Sequence, residues 1–256
     1  MATELLDSKW FPLIYLAILI ISIVIGIALS VKLGLHQQVD WRSAPLFAPI
    51  LSFFSLLLAF TLSLSASSNK ERANLIHQHA DALSDLNQKS FLLNDTLRAS
   101  VKEYVINCFT LKMQASKLHG AARQAMDVKS FWVNEKFLKK MVVFRKSGVR
   151  FQEEASIVAD NVNKIMALDN QLHYSNQDRT PVIVMILLLL CSWAIGFLLG
   201  LGHAIFRKYY FMGPAIFMTL TSLTVMAIQD MDNPHTGIIK PPYDIYGTML
   251  RNIDEE

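Results

Sequence analysis

The sequence predicts an all-α membrane protein: four transmembrane helices, two plus two, flanking a helical extramembrane domain of about 110 residues. Three observations predict it. Four apolar stretches, at 11–35, 44–66, 181–205 and 209–228, are each long enough to cross about 30 Å of hydrocarbon as a helix. Charge is nearly absent from them and dense between 67 and 180, although charged residues make up only 18% of the chain. The middle segment repeats its apolar residues at steps of three and four, the helical period, and shows no strand-like alternation.

The first stretch follows Glu4, Asp7 and Trp10 and is longer than the apolar core of a signal peptide, so it reads as a retained first span. Lys32 lies near its end, where a long stem reaches the headgroups. A short polar loop at 36–43 leads to the second span, opened by Pro45 and Pro49, with a kink expected at Pro49. Nothing between Ala66 and Asn74 breaks a helix, so the second span is expected to run on into an extramembrane helix near Lys70 and to transmit movement along its length. Leu93, Leu97, Val101, Val105, Cys108, Leu111, Ala115 and Leu118 form the stripe of the next helix. Gly120 and Gly148 are expected breaks. Asp127 or Ser130 would cap a helix carrying Phe131, Trp132, Phe137, Leu138 and Met141, and a further helix is expected from Val149 to Leu172. Pro181 opens the third span, Tyr209 and Tyr210 mark the interface before the fourth, and 229–256 reads as a tail.

Two spans on each side of the middle place the N-terminus, the middle domain and the C-terminus on one face of the membrane, and the balance of Lys and Arg leans toward the cytoplasm. In a bacterium, helical spans mean the inner membrane. A net charge of +3, with no basic cluster among aromatics, argues against a nucleic-acid surface.

Motifs for an enzyme are missing. No phosphate-cradling glycine loop, nucleophile elbow or zincin motif occurs, and no cofactor is expected. His77 and His79 point to different helix faces, and His77 with Asp81 alone makes no metal site. Glu153 and Glu154 read as surface charges, and Cys108 and Cys191 as inert thiols. Asn94-Asp95-Thr96 matches a glycosylation sequon by chance.

The second span is the most informative segment. Leu56, Phe60 and Leu64 stack at spacing four, and Ser52, Ser55, Ala59 and Ser63 form a small, polar neighbouring face. Such a face packs helices closely or lines a path for ions, with the large side chains as a hydrophobic constriction. The run LAFTLSLSASSNKERANLIHQHADAL resembles a bacterial family of bestrophin-like membrane proteins of unassigned function and, more distantly, is similar to bestrophin chloride channels. QDMDNPHTG resembles the family's signature after the last span.

The resemblance places Arg72 at the arginine that ends the bestrophin pore helix, and the neck positions on Leu56, Phe60 and Leu64. Asp230, Asp232, Pro234 and Gly237 become family-motif residues. The aromatic pair after the arginine is replaced by Ala73 and Asn74, and no acidic cluster follows Gly237, so no calcium site is carried over; Asp230 and Asp232 are expected as a solvated helix end. The resemblance implies a homo-oligomeric channel in the lipid bilayer for chloride or other small anions, with Leu56, Phe60 and Leu64 as its constriction and Ser52, Ser55 and Ser63 lining the pore. The alternative is a non-conducting membrane scaffold or sensor whose cytosolic helices bind a partner.

Overall fold

A computed structural model of the chain describes residues 10–32, 47–146, 148–203, 212–234 and 237–254. Every regular element among them is a helix: α1 Phe11–Lys32, α2 Phe47–Ser90, α3 Asp95–Ala115, α4 Gly120–Lys146, α5 Val149–Gln177, α6 Val182–His203, α7 Met212–Asp232 and α8 Asp244–Asp254. The polar loop at 36–43, Pro45, the Tyr209–Tyr210 pair, His235 and Thr236 lie outside the described residues. The helices divide between two compact units, Met1–Ser67 with Arg179–Asn233, and Ser68–Asp178 with Pro234–Glu256.

The first unit contains four helices long and apolar enough to cross a membrane, so the chain is an integral membrane protein. Of these, α1 and α6 are apolar on nearly all sides, as expected where lipid replaces water outside and side chains fill the inside. Leu13, Ile21 and Val24 of α1 and Ile183 and Leu190 of α6 face outward, while Tyr15, Leu19, Leu188 and Ile195 are buried. The α1–α6 crossing is built from small residues at spacing four: Ser22, Gly26 and Ser30 on α1, Ser192, Gly196 and Gly200 on α6. A Cβ on Gly26 would stand 2.9 Å from the Gly200 Cα, too close for any side chain. Dispersion between touching backbones thus holds the pair, since lipid provides no hydrophobic drive between spans. Ser22 adds a hydrogen bond from Oγ to the Trp193 carbonyl at 2.7 Å.

Pro49 stands in the first turn of α2, where its missing N–H would have no helical partner in any case. The helix then runs unbroken for 44 residues, as the absence of a breaker between Ala66 and Asn74 predicts.

The second unit is a bundle of the α2 continuation with α3, α4, α5 and α8. Short connections make successive helices antiparallel. The predicted stripe of α3 is buried at Leu97, Val101, Val105, Cys108, Leu111 and Ala115. Asn94 is the N-cap of α3: its side-chain oxygen accepts from the Leu97 N–H at 3.0 Å, and its Nδ2 donates to Glu154 at 2.5 Å. Glu154 is therefore a structural acceptor rather than a free surface charge.

Gly120, at φ +57°, turns the chain into α4 in a conformation that side chains disfavour. Because α4 starts there, Asp127 and Ser130 lie inside it and cap nothing, contrary to expectation. The helix expected to end at Leu172 continues to Gln177. The expected tail is also corrected. It divides at Asn233, and its last part forms α8, whose Tyr246 and Ile253 are buried in the second unit.

Candidate functional site

Within the first unit, α2 has two unlike sides. Phe54, Thr61 and Ser65 are buried, with Phe54 packed on Phe217 at 5.7 Å between ring centroids. The opposite side carries Leu56, 69% exposed, and Phe60, 61% exposed, together with exposed Ser52, Ser55, Ala59 and Ser63. Leu64 is half-buried at the edge of this strip. The helical period thus brings all six predicted pore residues to one side of α2. The Ser55 hydroxyl is donated to the Leu51 carbonyl at 2.8 Å.

At the lower end of the same unit, Asp232 ends α7, where the helix macrodipole disfavours a carboxylate. Hydrogen bonds compensate. The Ser65 hydroxyl lies 2.8 Å from Asp232 Oδ1 and 3.1 Å from the Ile228 carbonyl, and the Thr180 N–H donates to Oδ2 at 3.2 Å. Asp232 is 8% exposed, so the solvated helix end expected there is corrected: its carboxylate ties α2 and the start of α6 to α7. Asp230 is half-buried; of the other family-motif residues, which belong to the second unit, Pro234 is buried and Gly237 half-buried.

Within the second unit, Arg72 is fully buried. Its Nε donates to the Ser175 carbonyl at 2.8 Å and a terminal nitrogen donates to the Asp178 carbonyl. These oxygens close the C-terminus of α5, so the guanidinium caps the negative end of that helix.

A buried polar cluster went unread in the sequence. Lys112 and Asp169 form an ion pair, and His79 Nε2 faces Asp169 at 3.5 Å. With Nε2 protonated toward the carboxylate, His79 Nδ1 accepts from the Tyr246 hydroxyl at 3.2 Å. Ser130 and Asn134 each donate to Asp169 Oδ2 at 3.3 Å, and Tyr104 donates to Asn134 at 2.8 Å.

Burial pushes His79 down to about 4, so it is neutral at pH 7 and the ionised pair is Lys112–Asp169. Burial would raise the Asp169 carboxyl, but Lys112 and then His79 hold it below its usual range. Burial also pushes the Cys108 thiol up to about 12, an inert form. A cavity of about 480 Å³ opens beside the cluster, lined by Lys112, Arg123, Asp127, Asp169 and Tyr243 among others. His77 is exposed, apart from His79, and no three potential metal ligands gather among the described residues.

The signal for this cluster is present in the sequence as polar residues on apolar stripes. On α2 the buried positions run Arg72, Ile76, His79, Leu83, Leu86, Ser90, and on α5 the half-buried Asp169 interrupts the buried stripe Val158, Val162, Ile165, Leu172. Polar groups at such positions are hydrogen-bonded core members.

No family model and no curated protein matches the chain. Solved structures do. A tryptophan-to-alanine variant of a bacterial bestrophin homologue from Klebsiella pneumoniae superposes with a TM-score of 0.65 at 15% identity, over 95% of this chain and 96% of that one. The structure of the same homologue phased on zinc gives 0.62 at 17% identity, over 95% and 96%. A further membrane protein, a leucine-to-alanine variant, gives 0.68 at 14% identity, over 95% and 97%. Across nearly its whole length, this integral membrane protein has the all-α fold of the bacterial bestrophin homologues.

Proposed function

We propose that the chain is the subunit of a homo-oligomeric, bestrophin-like ion channel that conducts chloride or other small anions, with α2 lining the pore. The observation that carries this reading is the two-sided character of α2: one side is packed within the subunit, while Leu56 and Phe60 stand outward on the other beside Ser52, Ser55 and Ser63. Four spans have too little perimeter to enclose a pore alone, so several copies place α2 around an axis. Leu56, Phe60 and Leu64 then form rings whose apolar surface expels water when narrow, a gate by dewetting. Arg72 acts indirectly, by fixing the extramembrane end of the pore helix to α5. In a bacterium the protein would reside in the inner membrane, with the N-terminus, the bundle and the C-terminus in the cytoplasm.

The test is ion flux through the purified protein in liposomes under a chloride gradient. Phe60 is exposed in the subunit, so Phe60→Ala leaves the fold intact and raises the flux severalfold by widening the ring. Equal flux from equal amounts of assembled protein rejects α2 as the gate.

A second reading is favoured by the unbroken course of α2 through both units. A non-conducting scaffold or sensor would use that helix to relay partner binding. Silence of assembled wild type and variant alike in the flux assay selects it.

A further inference from the structure

On α4 the buried side is Arg123, Ser130, Asn134, Phe137 and Met141. The opposite side is also apolar. Val128, Phe131, Trp132 and Val142 fall within one arc of the wheel and are 56%, 50%, 59% and 55% exposed. Phe131 and Trp132 meet edge to face at 6.1 Å. Lys129, Lys136 and Lys140, at spacings of seven and four, form an exposed row along one margin of this arc, and Glu135 pairs with Lys139 inside it at 2.6 Å. Large aromatics standing in water beside a cationic row are costly in a soluble bundle and mark an interaction surface.

The second unit carries a matching patch of the other sign. Phe91 and Leu92, 45% and 86% exposed, occupy the turn between α2 and α3. Hydrogen bonds from Asn94 to Glu154 and from Lys89 to Asn161 fix that turn against α5, where Ile157 is 46% exposed. The charged residues around it are Asp95, Glu153, Glu154 and Asp160, against Arg98, which stacks on Phe91 at 4.3 Å, and Lys89, which is paired with Asp85. Lys164 lies a turn further along α5.

We infer that the outer face of α4 docks on the Phe91–Leu92–Ile157 patch of a second copy of this chain, the cationic row of Lys129, Lys136 and Lys140 meeting Glu153 and Asp160. The inference rests on the oligomeric reading above and adds its extramembrane contact. A ring closes through a head-to-tail interface, which requires two different, complementary patches on each copy, and a basic apolar face with an acidic apolar patch meets that requirement. Trp132 is the anchor, since buried aromatics dominate such interfaces.

The experiment is native mass spectrometry of the full chain in detergent over a concentration series. It compares wild type, Trp132→Glu, the triple variant Lys129→Glu/Lys136→Glu/Lys140→Glu, and that triple combined with Glu153→Lys/Asp160→Lys. Trp132→Glu and the triple are expected to weaken assembly about tenfold or more, as loss of one interface hot spot does. The combined variant is expected to restore assembly, which a misfolded triple would not allow. Normal assembly of Trp132→Glu and the triple, with wild type oligomeric, overturns the α4 interface and leaves the channel reading standing. So does a triple left unrestored by the acidic-patch reversal. Unchanged assembly with a thermal stability that now depends on the anionic lipid added assigns the face to lipid and overturns the proposal. A wild type that is monomeric throughout overturns the oligomeric channel itself.

Discussion

Arg72 Nε donates to the main-chain oxygen of Ser175 at 2.8 Å, which makes a residue of α2 the cap of α5. Arg72→Ala would leave the Ser175 and Asp178 carbonyls without this buried donor, at a cost of about 3 kcal/mol for lost hydrogen bonds to a charged group. Arg72→Lys recovers part of this, because an ammonium lacks the planar fork that reaches both oxygens. Thermal unfolding in detergent should rank wild type above Arg72→Lys above Arg72→Ala. Equal midpoints for wild type and Arg72→Ala would show that the cap contributes nothing.

Two glycines on α6 should respond very differently to one added methyl. A Cβ on Gly200 would stand 3.0 Å from the Gly26 Cα and closer still to the Ile23 carbonyl, so backbone must move. At Gly196 the nearest atoms are side-chain atoms at 3.4 Å or more. Gly200→Ala is expected to cost about 2 kcal/mol or more as an overpacked contact, while Gly196→Ala stays near neutral. Yield and melting temperature of the two variants check this; similar behaviour would refute the close crossing of α1 and α6.

His79 makes stability depend on pH. Its folded value of about 4 lies below the ordinary 6.5, so between these limits the unfolded chain binds a proton that the folded chain refuses. Stability is therefore fully present above pH 6.5 and falls as pH drops toward 4, with a limiting slope of about 1.4 kcal/mol per pH unit. Asp169, held below the usual carboxylate range, adds its loss at still lower pH. His79→Phe should lower stability at pH 7, by stranding the Tyr246 hydroxyl, but flatten the profile between 6.5 and 4. An equally steep profile in the variant would assign the acid transition elsewhere.

Ser65 and Asp232 should be energetically coupled. A double-mutant cycle with Ser65→Ala and Asp232→Asn, read by thermal unfolding, is expected to give a coupling of about 1 kcal/mol for their 2.8 Å hydrogen bond. Additive effects would mean that the contact is incidental.

Much of this architecture was legible because it depends on local pattern. The spans, the unbroken passage through Ala66–Asn74 and the stripe of α3 follow from apolar period and the absence of breakers, and the helices stand there. Asp232 and Glu154 were misread for the opposite reason. A carboxylate at a helix end or on a helix surface has the same local sequence whether water or a donor faces it. Only the arrival of Ser65 and Thr180, or of Asn94, decides which.

The sequence by itself determined that this chain lives in a bilayer, that it has two pairs of spans around a helical bundle, and that Leu56, Phe60 and Leu64 share one side of the second span. These are consequences of hydropathy and of a period of 3.6 residues, which need no partner segment. Tertiary structure decided which side of that helix is packed and which is left outward. It also set the touching of Gly26 and Gly200, the capping of α5 by Arg72, and the burial of His79 beside Asp169 and Lys112. Each of these joins residues far apart in the chain, and their energies come from desolvation and close contact, which exist only once the helices have met.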